Sequence, residues 1–244
     1  MSKRNIILTI IGATIAFAYL FYVYFIFDGN KQEGVCEELR IEISDLTKRH
    51  FTSNQQILSL LRQHELVPDG KQLNDVNTQQ IEDCIKKIEV VKDAQCYERN
   101  DGVVVVELKQ REPFLRVIST DNYYIDTERR AMRASFQTAA FVPVVTGYVT
   151  PDMAANELYD FVEWIESNSY WRGEIQQINI NSKKQVELIQ RHGKHTILLG
   201  KLDEDYKQRL HKLQVFYEKG VSKIGWEDYK EIDLQYAGQV ICRK

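Results

Sequence analysis

The apolar positions between residues 35 and 112 alternate between strand-like and helix-like spacing. Leu39 to Ile43 alternates apolar with charged side chains, which is typical of a half-buried strand. In the two segments that follow, apolar residues recur every three or four positions, as on one face of a helix. The predicted elements are a strand at 39–43, a helix from Thr52 or Ser53 to Gln63, a helix capped by Asn77 with Ile81, Cys84, Ile85 and Ile88 on one face, and strands at 90–97 and 103–111 around an Asp101-Gly102 turn.

The remainder of the chain predicts a larger sheet with two helices. Pro113 marks its start, because proline cannot donate a hydrogen bond to a strand ladder. One helix is expected to start at Thr150-Pro151, with Ala154, Leu158, Phe161, Val162 and Ile165 on one face, and another to run from Asp203 to Gly220. The predicted strands lie at 114–119, 122–127, 142–149, 174–180, 185–191, 195–199 and within the last 16 residues, 229–244.

These patterns predict an α+β protein of two domains. The first is a β-α-α-β-β domain at residues 35–112, in which two helices cover one face of a small sheet. The second, at residues 113–244, is a mixed and mostly antiparallel sheet with two helices.

Residues 6–27 carry no charge and are long enough for a transmembrane helix, which needs about 20 residues. Lys3 and Arg4 precede this segment, so the positive-inside rule predicts a cytoplasmic tail at 1–5 and an exterior chain that begins with a linker at 28–34. The alternative is a cleaved signal peptide, whose apolar core usually has about 7–15 residues. The longer run favours a single-pass anchor.

Composition excludes two broad classes of protein. With 43% hydrophobic and 27% charged residues, the chain is too apolar to be disordered. Its net charge of −3 at pH 7 provides no basic field for nucleic acid. We therefore expect no nucleic-acid partner.

The sequence contains no common catalytic motif. It has no G-x-S-x-G, no H-E-x-x-H, no P-loop and no G-x-G-x-x-G. His192 and His195 flank a glycine turn and are interpreted as an exposed polar turn rather than a metal-binding pair. The run Asp203-Glu204-Asp205 is interpreted as complementing a helix dipole rather than as an acid/base cluster. The sequence predicts no catalytic residue, no cofactor, no metal and no small-molecule substrate.

The four cysteines have no spacing typical of a metal site. An exterior location permits disulfides. Cys84 and Cys96 lie on apolar faces of their predicted elements, so they are either small buried hydrophobic residues or partners in a Cys84–Cys96 bridge. Cys36 and Cys242 have no assigned pairing.

Three stretches resemble the bacterial division family FtsQ, called DivIB in Gram-positive bacteria. The first stretch is VVKDAQCYERNDGVVVVELKQREPF. It matches the family's pattern at Val91, Ala94, Cys96, Val104, Val106, Arg111 and Pro113. YYIDTERRAM is similar to a hairpin of the family's β domain, and YKEIDLQYAGQVICRK to its closing strand. The chain departs from the family at three positions, with Gln110 in place of Glu, Glu128 in place of Gly, and Gln235 in place of Arg.

The resemblance implies a POTRA domain followed by an FtsQ-type β domain, and a scaffold without catalysis. Such a protein would lie in the cytoplasmic (inner) membrane at the division septum, with its C-terminal domains in the periplasm or extracytoplasmic space. It would recruit an FtsB–FtsL-like pair and link it to septal cell-wall synthesis, through a partner strand added to its last strand. The residues expected to bind this partner are Ile232, Leu234, Gln235, Tyr236 and Val240.

Two alternatives accompany this interpretation. The terminal strand could be fully paired within its own chain, which would leave no edge for a partner. The chain could also be a membrane-anchored cell-envelope enzyme such as a wall hydrolase, although its sequence shows no cluster of catalytic residues.

Overall fold

The computed structural model describes residues 12–23, 34–44, 51–133, 139–193, 195–221 and 229–244. They fall into two compact units. One is drawn from residues 1–43, 54–87 and 94–108, and the other from residues 44–53, 88–93 and 109–244.

The predicted membrane segment at 6–27 extends beyond the described residues at both ends. Residues 12–23, its described part, form a helix. Within the described ranges, no helix combines the length and the apolar character needed to cross a membrane. The predicted tail at 1–5 lies outside the described residues, as does the predicted linker except for Gly34.

The first predicted domain, at residues 35–112, has the predicted order of strands and helices. Its sheet has three strands in the order β1-β3-β2. Asn77 caps the second helix, since its side-chain oxygen accepts a hydrogen bond from the Gln80 N–H at 3.0 Å. That helix ends before Ile88, which was predicted to lie on it. The elements are β1 (Glu38–Ser44), α1 (Asn54–Gln63), α2 (Thr78–Ile85), β2 (Val91–Glu98) and β3 (Val103–Gln110), with a 3-10 turn at Leu73–Asp75.

The four cysteines are free thiols. Cys36, Cys84 and Cys96 are buried, and Cys242 is partly exposed. Burial raises the pKa of the Cys96 thiol to about 12, with the Glu82 carboxylate acting in the same direction. Of the two interpretations of Cys84 and Cys96, the structure therefore has the small buried hydrophobic residues and not the bridge.

A nine-stranded mixed sheet forms the larger part of the chain. Its order is β12-β11-β10-β9-β8-β7-β4-β5-β6. Among the described strand pairs, five are antiparallel and three are parallel, namely β4–β7, β7–β8 and β10–β11. The strands are β4 (Pro113–Ile118), β5 (Asn122–Asp126), β6 (Ala131–Arg133), β7 (Val144–Gly147), β8 (Ile175–Ile180), β9 (Val186–Gln190), β10 (Thr196–Gly200), β11 (Glu231–Asp233) and β12 (Ile241–Arg243).

The helices of this part differ from the prediction in number. The first predicted helix is two helices, α3 (Pro151–Ala155) and α4 (Glu157–Ser167), which meet at Asn156. The side chain of Asn156 donates to the backbone oxygen of Asp152 at 3.0 Å, and its backbone leaves the helical region at φ −116° and ψ −90°. The second is α5 (Tyr206–Phe216), which widens into a π-helical turn at Tyr217–Val221 instead of stopping at Gly220.

The helices and the sheet share one apolar core. The residues predicted to lie on one face of the first helix are all buried, and Leu210 and Leu213 of α5 join them. Ile232 and Leu234 belong to the same core, so the C-terminal segment is packed into the fold. Burial of this kind stabilises the fold by roughly 25 cal/mol per Å² of apolar surface.

The turn between β5 and β6 is organised by a buried carboxylate. Oδ1 of Asp126 accepts hydrogen bonds from the backbone N–H groups of Glu128 and Arg130, both at 2.8 Å. Arg111 donates to Oδ2 at 2.8 Å. The left-handed residue of this turn is Arg129, at φ 64°. The turn therefore forms with Glu128 at the position where the family has glycine.

Candidate partner-binding edge

The C-terminal residues form two strands with different surroundings. β11 pairs with β10 in parallel and with β12 in antiparallel fashion, so it has a neighbour on both sides. β12 is the terminal strand in the sheet order and pairs only with β11 among the described strands. β12 is therefore an edge strand at the C-terminal end of the sheet, and β6 is the last strand at the opposite end.

Backbone hydrogen bonds show which way each residue of this pair faces. The Leu234 N–H donates to Leu198 at 3.0 Å and the Lys230 carbonyl accepts from Thr196 at 2.9 Å, so both groups face β10. The intervening odd-numbered residues then face β12, because the direction of the backbone groups alternates along a strand. Ile241 and Arg243 are their partners. Lys230 lies just before β11 and departs from this alternation, since its N–H donates to the carbonyl of Arg243 at 2.9 Å while its own carbonyl faces β10. By the same alternation, the N–H and C=O of Cys242 point to the open side.

The five residues predicted to bind a partner differ in exposure. Ile232 and Leu234 are buried in the core, with 1% and 0% of their surface exposed. Gln235 is exposed, Tyr236 is 52% exposed, and Val240 is half-buried. In the folded chain, Ile232 and Leu234 thus support the segment from inside, whereas the other three reach the surface. Partner binding by these residues stays a prediction.

Charged side chains hold β12 against β11. The guanidinium of Arg243 contacts the carboxylates of Glu231 and Asp233, the latter at 3.3 Å. Asp233 is 3% exposed, although in the sequence it alternates with the apolar residues Ile232 and Leu234 and would face the opposite side of a regular strand. Its carboxylate also accepts from the Gln235 N–H at 3.0 Å. Asp233 is therefore a structural residue of the edge.

Gln235, the residue that replaces the family's arginine, is held by its neighbours. Its Oε1 accepts a hydrogen bond from Nε2 of Gln185 at 2.9 Å. Its Cγ lies against Gly200, where a Cβ atom would come within 3.0 Å of it. The side chain thus takes part in a neutral contact with the turn that precedes β9.

Lys212, on α5, was not predicted as a site residue. Its ammonium donates to the backbone carbonyl oxygens of Leu234 at 3.1 Å and Tyr236 at 2.6 Å. Burial lowers the pKa of Lys212, and the nearby Arg209 acts in the same direction. No sequence pattern marks this contact, because it joins a helix to a turn more than 20 residues further along the chain. Lys212 fixes the turn that carries Tyr236.

His192 and His195 have different surroundings and do not form one site. His192 is exposed, and its Nδ1 lies 3.2 Å from Oε2 of Glu174. His195 is buried, contrary to the predicted exposed turn, with its Nε2 2.7 Å from the Tyr217 hydroxyl. That hydroxyl donates to Gln190 at 2.8 Å. The described ranges contain no group of three or more His, Cys, Asp or Glu residues that could hold a metal ion.

The acidic run before α5 has a structural role. Asp203 accepts hydrogen bonds from Arg209 at 2.8 Å and from the Asp205 N–H at 3.1 Å. The contact with Arg209 holds the pKa of Asp203 below its usual range. These contacts fix the loop that leads into the helix.

The fold and the site together define a protein of two α+β modules whose candidate binding feature is a sheet edge. Comparison with known families matches residues 112–243 to the family described as FtsQ/DivIB, C-terminal related, and residues 34–109 to the POTRA-like domain. Because the first match covers more than half of the chain, the protein belongs to the FtsQ/DivIB family, a family of non-enzymatic cell-division scaffolds. No curated protein matches the chain.

The departure from the family at Gln110 preserves a hydrogen-bonding role. Oε1 of Gln110 accepts from the backbone N–H groups of Phe51 at 2.7 Å and Thr52 at 3.1 Å. A glutamate oxygen has the same acceptor geometry. The substitution therefore removes a charge and keeps an acceptor.

Proposed function

We propose that this protein is a single-pass membrane scaffold of the bacterial divisome that recruits an FtsB–FtsL-like pair through the edge of β12. Its N-terminus lies in the cytoplasm, and both modules lie in the periplasm or extracytoplasmic space at the septum. There it links the recruited pair to septal cell-wall synthesis. The family supports the scaffold role, and the uncharged segment 6–27 supports the anchor.

The observation that carries the proposal is the position of β12. A strand with one neighbour presents backbone donors and acceptors that an extended segment can pair with. Cys242 supplies an outward N–H and C=O, while Arg243 keeps the strand attached to β11. A partner strand would thus extend the sheet beyond β12 without displacing any described strand.

Side chains beside the edge provide selectivity. Tyr236 is exposed in the turn between β11 and β12, and an exposed tyrosine offers a large apolar face with a polar tip. Gln235, the residue before Tyr236, presents a side-chain amide, and Val240 lies at the end of the same turn, directly before β12. Backbone pairing would supply affinity, and these three residues would select the partner.

Two substitutions at one residue test the backbone contact. Cys242→Pro removes the outward N–H, and proline is tolerated at edge positions whose N–H faces away from the sheet. Cys242→Val keeps that N–H and an apolar side chain. The full chain in lipid nanodiscs would be titrated with the FtsB–FtsL-like pair of the same organism. We expect Cys242→Pro to weaken binding strongly and Cys242→Val to bind as the wild type does, with equal melting temperatures. Equal binding by all three proteins would rule out strand addition at β12.

A further inference from the structure

A groove lies between α5 and the turn that carries Tyr236. Its volume is about 670 Å³ and it opens to solvent. One wall is the face of α5 that contains Lys212, and the other is the turn at residues 234–238.

Positively charged side chains outnumber negatively charged ones in the lining of this groove. Lys207, Arg209 and Lys212 line it, and Asp205 is the one carboxylate among its lining residues. Arg209 is neutralised by Asp203 at 2.8 Å. Lys207 is exposed, with its ammonium 5.7 Å from the ring centre of Tyr206. The groove therefore has a surplus of positive charge.

Lys212 is partly buried in the wall of this groove. Its two hydrogen-bond acceptors are backbone carbonyl oxygens, which orient the ammonium without cancelling its charge. The carboxylate of Asp233 acts on this ammonium through space, against the effect of burial, but its ion pair is with Arg243. Among the described residues, no carboxylate oxygen lies within ion-pair distance of Lys212. An ammonium has three N–H donors, so one remains beyond the two that bind Leu234 and Tyr236.

A partly buried ammonium of this kind is a favourable hydrogen-bond donor for an anion. Burial has already removed part of its hydration, as the lowered pKa of Lys212 reflects. A carboxylate that entered the groove would form a charge-assisted hydrogen bond with a donor that the fold has already positioned. Since the ammonium is held by two carbonyls, little side-chain entropy would be lost on binding.

We propose that this groove receives an acidic side chain from the partner segment that adds to β12. The inference rests on the proposed function and names the chemistry of the partner: a carboxylate placed beside its β-strand. Tyr236 connects the two parts of the surface, because its carbonyl binds Lys212 while its side chain is exposed in the turn that leads to β12.

Lys212 also positions the turn, so its charge has to be separated from its structural role. Lys212→Gln removes the charge and part of the hydrogen bonding. Lys212→Arg keeps the charge. Lys207→Gln lowers the charge of the groove and leaves the contacts of Lys212 with the turn intact. Lys109→Gln, at an exposed position on β3, is the matched control.

The test is a set of titrations of the full chain in nanodiscs with the FtsB–FtsL-like pair, at low and high sodium chloride. Loss of a charge-assisted contact predicts binding about 10- to 100-fold weaker for Lys212→Gln. We expect a smaller loss for Lys207→Gln and near wild-type binding for Lys212→Arg and Lys109→Gln. Wild-type binding should fall more steeply with salt than binding by Lys212→Gln.

Double-mutant cycles identify the carboxylate. Each Asp and Glu of the soluble part of the partner would be changed in turn to Asn or Gln and measured with wild type and with Lys212→Gln. Substitution of one acidic residue is expected to weaken binding to the wild type and to cause no further loss of affinity for Lys212→Gln. If no acidic residue couples to Lys212, or if both salt dependences are equal, the acidic-contact inference is wrong. If Cys242→Pro still weakens binding in that case, the proposed function stands without it.

Discussion

Ile232 and Cys242 lie opposite each other across the last two strands of the sheet. Ile232 is 1% exposed and belongs to the core, whereas Cys242 lies on the outermost strand and only packs against that core. This pair therefore connects the buried strand β11 to the edge strand β12. Because a one-residue slip of β12 would turn its side chains to the other face, packing at this pair fixes which backbone groups face outward.

Substitutions in the C-terminal segment should separate stability from binding. Ile232→Ala removes buried apolar volume and is expected to lower the free energy of unfolding by about 2–5 kcal/mol. Tyr236→Ala removes an exposed side chain and is expected to change it by less than about 0.5 kcal/mol, while it weakens partner binding. Urea unfolding followed by circular dichroism measures the first effect, and titration with the FtsB–FtsL-like pair the second. Equal destabilisation by both variants would contradict the assigned burial.

The Arg111–Asp126 contact should contribute strongly to stability. Only 12% of the Arg111 side chain and 2% of the Asp126 side chain are exposed. Arg111→Ala leaves a buried carboxylate without its counter-charge, which typically costs about 3–5 kcal/mol. Arg133→Ala is the control, since the Arg133 side chain is 88% exposed and such ion pairs contribute at most about 1 kcal/mol. Chemical unfolding of both variants measures the difference, and similar midpoints would contradict this account.

Gly147 is expected to tolerate no side chain. It has φ 92°, and a Cβ atom there would lie 2.1 Å from the carbonyl oxygen of Ile180 on β8. Gly173 has a similar φ of 76° with no atom within 4 Å of the same position. Gly173→Ala should therefore cost only the left-handed backbone term of about 1–2 kcal/mol, and Gly147→Ala distinctly more. Melting temperatures of the two variants provide the comparison, with equal shifts as the contrary result.

Acid pH should destabilise the larger unit through His195. Burial lowers the pKa of His195 in the folded chain. When pH falls below about 6.5, the usual value for histidine, the unfolded chain binds a proton that the folded chain does not, so the free energy of unfolding decreases. His195→Gln should remove this part of the pH dependence, and His192→Gln, at an exposed position, should retain it. Urea unfolding between about pH 5 and pH 7 tests both. An unchanged pH dependence in His195→Gln would exclude this role.

Regular elements could be predicted well because their apolar spacing is a local property of the sequence. The strand predicted at 103–111 is β3 (Val103–Gln110), and the helix predicted to end at Gln63 does so. The break at Asn156 was missed because the apolar spacing continues through it. The apolar spacing does not predict β6, because three residues hold too little of a repeat to be recognised. The hairpin resemblance of residues 123–132 covers the first two residues of this strand.

The candidate site was predicted only in part, since edge and interior are properties of the whole sheet. In the sequence, Ile232, Leu234 and Tyr236 alternate with polar residues, which predicts that Ile232 and Tyr236 share one face of a strand. The structure buries Ile232 and exposes Tyr236, because β11 ends at Asp233 and the chain then turns. Each of the two alternatives for the terminal segment, full pairing and an open edge, describes one part of it. β11 is paired on both sides, whereas β12 is paired on one side.

The most direct test of the account is hydrogen exchange at the backbone amide of Cys242. Labelling cysteine with 15N gives amide signals from four residues, of which Cys36 and Cys96 donate to Lys71 and to Glu82 within the fold. On addition of the FtsB–FtsL-like pair, we expect exchange at Cys242 to slow markedly and exchange at the other three to stay as it was. Saturating binding with unchanged exchange at Cys242 would contradict strand addition at the edge of β12.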